Sequence, residues 1–461
     1  MFDWENEKDR LLDEIEEFIQ RKRYGQLRDL LLPMEAADIA LLVEELPPAM
    51  LPLAFRLLPK ELAAEVFVEL DSGEQELLIT AFSNTELKEV LDELYLDDTV
   101  DIVEEMPASV VKRILQHSDP EIRKSINEVL KYPEDSAGSI MTTEFLDLKR
   151  DMTVEDAFRR IRRTGPDMET INICYVIDVG RHLLGLVSIR TLLLANTSDI
   201  IGDIMEKNIV SVSTLDDQEV TARSLSKYGF LALPVVDTEN RLVGIVTVDD
   251  AMDVLQEEVT EDIEKMAAIT PTDRPYLKTG TLDIFKARIP WLLLLMVSAT
   301  FTGMIISKFE VALAACGVLT AFIPMLMDTG GNSGSQASVT VIRGISLNEI
   351  SFSDLWKVLW KEMRVSVLVG LTLACANFVK MMLIDRLLLG NAALTPMVAL
   401  VVCGTLVFTV ICAKLVGCSL PLLAKKIGFD PVVMASPFIT TIVDAISLLI
   451  YFRFASILLH I

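Results

Sequence analysis

The sequence predicts a multidomain membrane protein: an α-helical superhelical N domain, an α/β segment built twice, a connecting helix, and an all-α transmembrane domain of five helices. Three observations predict it. Residues 1–300 carry 59 Asp+Glu against 31 Lys+Arg, a net charge of −28, whereas residues 301–461 carry 8 against 11, a net of +3. A turn-like dipeptide recurs nearly every twelve residues through the first segment. From Ile289 onward, five apolar stretches are long enough to cross a bilayer.

The first segment, residues 1–130, reads as helical throughout. Leu46-Pro47, Leu58-Pro59, Leu70-Asp71, Phe82-Ser83, Leu94-Tyr95 and Met106-Pro107 mark the recurrence. All but the Leu94-Tyr95 copy pair an apolar residue with Pro, Ser or Asp, and an acid soon after resembles a helix start. Short helices at a fixed period imply a small superhelical repeat domain; a plain protein-binding solenoid fits the same pattern. The start MFDWENEKDRLLDEIEEF lacks the basic and apolar regions of a signal peptide, so this half is expected in the cytosol. Its acidity repels nucleic acid and anionic lipid and attracts hard cations, although solubility alone would also account for it.

Residues 131–265 contain a duplication. Ile140-Met141-Thr142 returns as Ile204-Met205-Glu206, and Tyr175-Val-Ile-Asp178…Gly185-Leu-Val-Ser188 returns as Pro234-Val-Val-Asp237…Gly244-Ile-Val-Thr247. Each copy alternates a helix with short β-branched strands. The pattern resembles a tandem CBS domain. Where such domains bind adenosine nucleotides, an Asp three residues after the Ser/Thr often holds the ribose. Thr247 has Asp250 at that spacing, but Ser188 has Thr191, so the first copy departs from the nucleotide pattern.

Residues 266–288 form a polar connector with Pro271, Pro275 and Gly280, in which a helix over Thr281–Arg288 is expected to lead into the membrane. The transmembrane domain, 289–461, has its spans near 289–307, 311–342, 363–388, 394–423 and 431–458. With the N-terminus inside, Lys286, Arg288, Arg343, Lys357, Lys361, Arg364, Lys425 and Lys426 fall on cytosolic ends, and only Lys308, Lys380 and Arg386 outside. The positive-inside rule therefore favours a cytosolic N-terminus. An odd number of spans suits a pore on the two-fold axis of a homodimer. Of the six cysteines, five lie in apolar stretches and none form a CxxC pair, which argues against a disulfide framework.

Asp444 is the most informative residue. It lies about four turns into the fifth span, where a carboxylate costs on the order of 2.5–3.5 kcal/mol unless it faces water or a partner. Ser436, Thr440, Asp444 and Ser447 share one helix face, which reads as a pore lining. An interhelical hydrogen-bond cluster, or pairing with Lys414 or Arg453, is the alternative. In the second span, Asp328-Thr-Gly330-Gly331-Asn332-Ser-Gly334-Ser-Gln336 cannot face lipid. Small residues there allow close helix approach, and Asn332 and Gln336 suggest a watery cavity or a bracing network.

The run Gly-Gly-Asn-x-Gly-x-Gln (330–336), the Pro437…Asp444 segment, the Arg288-Ile-Pro-Trp291 entry and Arg343-Gly344 resemble the MgtE magnesium transporter family, and with the two soluble segments the likeness spans essentially the whole chain. It implies a homodimer with ten transmembrane helices, a central pore, and a cytosolic gate closed by bound Mg²⁺. By this resemblance Asp444 is the pore acid for hydrated Mg²⁺, Thr440 sits at the adjacent narrow position, and Ser436 stands where many members have Asn. Glu65, Asp97 and Asp101 match acids of the helical domain that share magnesium with the CBS pair. Asp250, Asp253, Glu258, Glu261 and Asp262 match CBS and connector acids, and Asp430 matches an acid before the fifth span. Gly229 follows Tyr228 where the family can have an Asp ligand.

The residue types agree. Mg²⁺ is small and hard, prefers oxygen and keeps waters. Asp97 and Asp101, four apart, face one side of a helix, as do Asp250, Asp253 and Glu257. Facing acids repel when empty and are bridged by metal, which makes a two-state element; solvated acidic helix faces would show the same spacing. The expected function is a Mg²⁺ channel of the cell inner membrane, with a Co²⁺ carrier or a nucleotide-sensing CBS scaffold as rivals. With no P-loop, three histidines and no nucleophile–base pair, an enzyme is not expected.

Overall fold

The computed structural model describes residues 4–272, 276–310, 314, 316–391, 393–434 and 436–459; Pro275, named in the connector above, lies outside them. The chain divides into two compact units, Met1–Leu255 and Gln256–Ile461.

The first unit opens with helices α1 (Trp4–Gln20), α2 (Tyr24–Leu31), α3 (Ala36–Val43) and α4 (Leu51–Phe55). Six more follow: α5 (Lys60–Val68), α6 (Ser72–Ala81), α7 (Asn84–Leu91), α8 (Leu96–Glu105), α9 (Ala108–His117) and α10 (Pro120–Val129), whose starts are twelve residues apart. The recurring dipeptide is the reason. Pro59, Asp71, Ser83, Tyr95 and Pro107 are the N-cap residues, and Leu58, Leu70, Phe82, Leu94 and Met106 before them are buried. Each apolar residue pins the chain to the core as the next residue starts a helix. Ser83 completes a capping box with Glu86. Alternate helices stack, α3 on α5 on α7 on α9, which gives the repeat its shared core.

Two three-stranded sheets follow, each with one parallel and one antiparallel pairing: β1 (Phe145–Lys149), β2 (Thr170–Ile177) and β3 (Leu183–Ser188), then β4 (Val212–Ser213), β5 (Ala232–Val236) and β6 (Leu242–Thr247). Helices α11 (Val154–Thr164), α12 (Ile189–Leu194), α13 (Ile201–Ile204), α14 (Gln218–Tyr228) and α15 (Val248–Met266) accompany them. The duplicated motifs cross over. Thr142 and Ile245 exchange both backbone hydrogen bonds at 2.9 Å, and Leu186 and Glu206 do the same at 3.0 and 2.9 Å. A Cβ on Gly185 would stand 2.7 Å from Met205 Sδ, and one on Gly244 2.7 Å from Met141 Sδ. The glycine of each G-h-h-S/T motif thus admits the methionine of the other copy, so the two motifs depend on one another.

The second unit contains α16 (Thr281–Lys308), α17 (Ile323–Ser346), α18 (Leu355–Lys380), α19 (Pro396–Ile427) and α20 (Ser436–Leu459). The expected helix at Thr281 is present as the first turns of α16; residues 267–272 and 276–280 are not helical, so the connector is not one helix. Four helices among the described residues are long and apolar enough to cross a membrane: Thr281–Lys308, Phe352–Leu388, Pro396–Ile427 and Val432–Leu459. The predicted second span is α17, 24 residues preceded by 3₁₀ turns over Gly317–Phe322. Its amide, hydroxyl and Asp328 side chains lower its hydropathy, although it packs on both α19 and α20. Glycines allow this closeness. A Cβ on Gly331 would meet Thr440 Cγ2 at 2.9 Å, one on Gly334 would meet Ile439 Cγ2 at 2.7 Å, and one on Gly417 would collide with the Gly334 carbonyl.

Candidate metal centres

In the first unit the fold assembles carboxylates from four places in the chain. Asp97 and Asp98 open α8, Glu144 precedes β1, Glu169 precedes β2, and Asp249 and Asp250 open α15. Asp97 is 5% exposed and accepts the Asp98 N–H at 3.1 Å. Glu144 accepts the Leu96 N–H at 3.1 Å, tying α8 to the turn before β1. Asp250 accepts the Thr247 N–H at 3.3 Å and the Thr247 hydroxyl, so the Thr-x-x-Asp spacing serves as its own helix cap. Glu169 Oε2 is buried and has no hydrogen-bond partner among the described residues.

The electrostatics follow from this crowding. Burial, then the charge of Asp250, pushes Asp98 up to about 7. Burial, then Asp250 and Asp98, pushes Glu169 up to about 8. Asp97 is raised well above the carboxylate range by burial and by Asp250. Burial raises Asp250 against the opposing Thr247 hydrogen bond. Desolvation and like charge both disfavour the ionised forms, and a hard divalent cation reverses both effects.

Of the predicted ligands, Asp97 and Asp250 are thus brought together. Asp253 lies near Asp249 and Glu69, whose carboxyl is raised by burial and by Asp253. Glu65 is exposed one turn before Glu69 on α5, and Asp101 is exposed one turn beyond Asp97 on α8. Asp98, Glu144, Glu169 and Asp249 were not singled out from sequence. The tandem Asp97-Asp98 and Asp249-Asp250 pairs carried a signal; Glu144 and Glu169 have none outside the fold. Glu44, Asp71 and Glu74 also bring carboxylate oxygens within 4.8 Å of one another on the helical repeat. Gly229 takes φ +65° and ends α14, and a Cβ added there would have nothing within 4 Å of it, so the backbone rather than the space selects glycine.

In the second unit Glu258, Glu261 and Asp262 lie on the end of α15. Lys265 joins Glu261 at 2.7 Å to Asp430 at 3.1 Å, so an ammonium stands between two of the predicted ligands. Asp444 lies on α20, half-buried, with no hydrogen bond or ion pair among the described residues. The carboxylate that it feels electrostatically is Asp328 on α17, which accepts a hydrogen bond from Asn332 Nδ2 at 3.1 Å. Thr440, one turn before Asp444, donates to the Pro437 carbonyl at 2.9 Å and packs on Gly331. Ser447 is 1% exposed, donates to Val443 O at 2.6 Å and fills the seam beside Gly330, so it packs rather than lines open space. Ser436 begins α20, and its side chain lies outside the described residues. Asn332 and Gln336 are exposed on α17. Lys414 pairs with Glu362, not with Asp444.

Family models match the chain in the same order: the MgtE intracellular N domain over residues 34–135, CBS domains over 137–197 and 201–257, and the MgtE divalent cation transporter domain over 323–454. The magnesium transporter MgtE of Thermus thermophilus is 37% identical over 458 residues, covering 98% of this chain and 99% of its own length. The chain belongs to the MgtE family. The MgtE of Bacillus subtilis is 31% identical over 95% of this chain and 96% of its own length. Among solved structures, the cytosolic domain of the Mg²⁺ channel MgtE in complex with ATP matches at 38% identity and TM-score 0.50, covering 53% of this chain and 99% of that one. The soluble part of a magnesium transporter matches at 28% identity and TM-score 0.51, covering 54% and 99%. The MgtE N domain and CBS pair therefore account for the first unit, and the apolar helices of the second make this MgtE chain a membrane protein.

Proposed function

We propose that the chain is a magnesium channel of the cell inner membrane, with a cytosolic N-terminus, whose passage is closed by Mg²⁺ bound to the carboxylates of the first unit. The observation that carries this reading is Asp444, a carboxylate without an ion partner among the described residues, set beside Thr440 and Asp328 in an apolar helical unit. An isolated acid at that depth is costly unless it serves an ion or water. A hydrated Mg²⁺ would supply the missing charge and hydrogen-bond donors. The unit then spans with five helices, α17 included, because α17 packs on α19 and α20 along one side and its exposed Asn332, Gln336 and Thr340 would face the pathway rather than lipid. Two such units about a two-fold axis would place Asp444, Thr440 and Asp328 around one pathway.

The gate follows from Asp97, Asp98, Glu169 and Asp250. Without metal their charges oppose close packing, and with Mg²⁺ they are bridged, so cytosolic Mg²⁺ biases one arrangement. Glu261 and Asp430, joined here through Lys265, form a second place where a cation changes the local balance. Voltage-clamped Mg²⁺ flux in proteoliposomes tests the pathway: Asp444→Asn is expected to reduce it to the leak level. Flux equal to the parent sinks the assignment, and Co²⁺ competition separates a magnesium pathway from a general divalent carrier.

A second ligand is favoured by the ATP complex of the 38%-identical relative. In this chain the Ser188 hydroxyl bonds Thr191 Oγ1 at 2.8 Å, so the first copy offers a hydroxyl where an acid would grip a ribose. Calorimetric titration with ATP is expected to show binding that strengthens in Thr191→Asp; a titration unmoved by the change removes this position from the nucleotide site.

A further inference from the structure

Besides Asp444, the second unit holds another buried charge. Lys414 on α19 is 6% exposed. Its Nζ lies 3.6 Å from Glu362 Oε2, on the second turn of α18, and the Glu362 side chain is 14% exposed. That separation suits an ion pair but exceeds a hydrogen bond, and Glu362 Oε2 has no hydrogen-bond partner among the described residues. A buried pair that served only to hold α18 to α19 would recover its desolvation cost through close hydrogen bonds. This one stands slack.

It also borders a cavity of about 870 Å³, lined with Asn332, Ser335, Gln336 and Thr340 of α17 together with Glu362 and Lys414. Asn332, Gln336 and Thr340 are exposed, so the cavity opens to the surface of the unit while the charged pair lies deeper. Ala337, Val339 and Val365 complete the wall, and its polar lining offers, beside the Lys414 ammonium, one carboxylate, two amides and two hydroxyls. That set can accept hydrogen bonds from the water shell of a hard cation, and the carboxylate supplies the charge. A hexahydrate needs on the order of 200 Å³, six waters at about 30 Å³ each, which the cavity exceeds.

We propose that this cavity is a second site for a hydrated divalent cation, centred on Glu362, in which Lys414 is a tethered competitor. When no ion is present the ammonium neutralises Glu362. An arriving ion takes the carboxylate over through its bound water, and the nearby positive charge keeps its occupancy weak and brief. Such a balance suits a conduction pathway, where a site must release what it captures. The inference takes from the preceding proposal only that hydrated divalent cations pass through this unit.

Mn²⁺ binding by the purified full chain tests it, read from the electron spin resonance of free Mn²⁺ and all on an Asp444→Asn background. Lys414→Met is expected to tighten one site at least ten-fold, and adding Glu362→Gln to remove that tightened site. Lys414→Gln, which keeps a hydrogen-bond donor beside Glu362, serves the same comparison where the methionine variant does not fold. An isotherm that superimposes on the Asp444→Asn parent overturns the proposal, as does a tightened site that survives Glu362→Gln. The readout does not depend on flux, so a conducting Asp444→Asn variant would defeat the pore assignment and leave this test standing.

Discussion

Carboxylates are handled differently in the two units. Asp97, Asp98, Glu169 and Asp250 are crowded so that the neighbours raising their pKa are other carboxylates. In the second unit, Glu362 stands beside Lys414, and Asp430 and Glu261 share Lys265. Among the described residues the first cluster has no ion-paired cation and must take one from solution; Glu362, Asp430 and Glu261 have theirs in the chain, and Asp444 shares the first cluster's condition. The first can therefore sense a cation, because its stability depends on one being present. The second holds these charges as pairs, so that removing one partner strands the other.

The largest effect is expected at Glu362. Glu362→Gln leaves Lys414 buried beside a neutral amide and is expected to destabilise the second unit by about 3 kcal/mol. The double change Glu362→Gln with Lys414→Met should recover most of it, read as the thermal midpoint in detergent. A single variant as stable as the parent would mean that the pair is already solvated.

The same kind of neutralisation should act with opposite sign in the first unit. Asp98→Asn removes a buried charge held up to about 7 and is expected to stabilise the Mg²⁺-free protein by about 2 kcal/mol. It should also shrink the rise in midpoint that Mg²⁺ produces. Destabilisation without Mg²⁺, or an undiminished Mg²⁺ response, would show that Asp98 is not part of the strained set.

A pH series sharpens the contrast with a smaller effect. The pKa values of Asp98 and Glu169 rise from 3.8 and 4.5 to about 7 and about 8 on folding, so the folded state binds more protons between those limits. Stability from these groups is full below the unfolded values and is lost as pH rises through the folded ones. In EDTA, protease resistance of residues 1–255 should fall between about pH 5 and pH 8. Saturating Mg²⁺ should flatten that dependence, since metal and proton compete for the same oxygens; a flat profile in EDTA would remove the carboxylate cluster as its source.

By itself the sequence determined the local parts. The twelve-residue spacing of Leu58-Pro59 through Met106-Pro107 set the helix starts, because an apolar residue followed by a capping residue acts within a single turn. The paired G-h-h-S/T motifs marked the two sheets, and Asp444 was legible because a lone acid in an apolar run is conspicuous without any partner. Only the tertiary structure decided which charges meet. Pairing of β1 with β2 sets Glu144 beside Glu169, the Leu96–Glu144 hydrogen bond brings them to α8 and Asp98, and the packing of α18 on α19 gives Lys414 Glu362 as its partner rather than Asp444. It also showed that Ser447, on the predicted polar stripe, is spent on packing. Burial and long-range electrostatics are properties of the packed chain, and a periodicity of three or four residues cannot specify them.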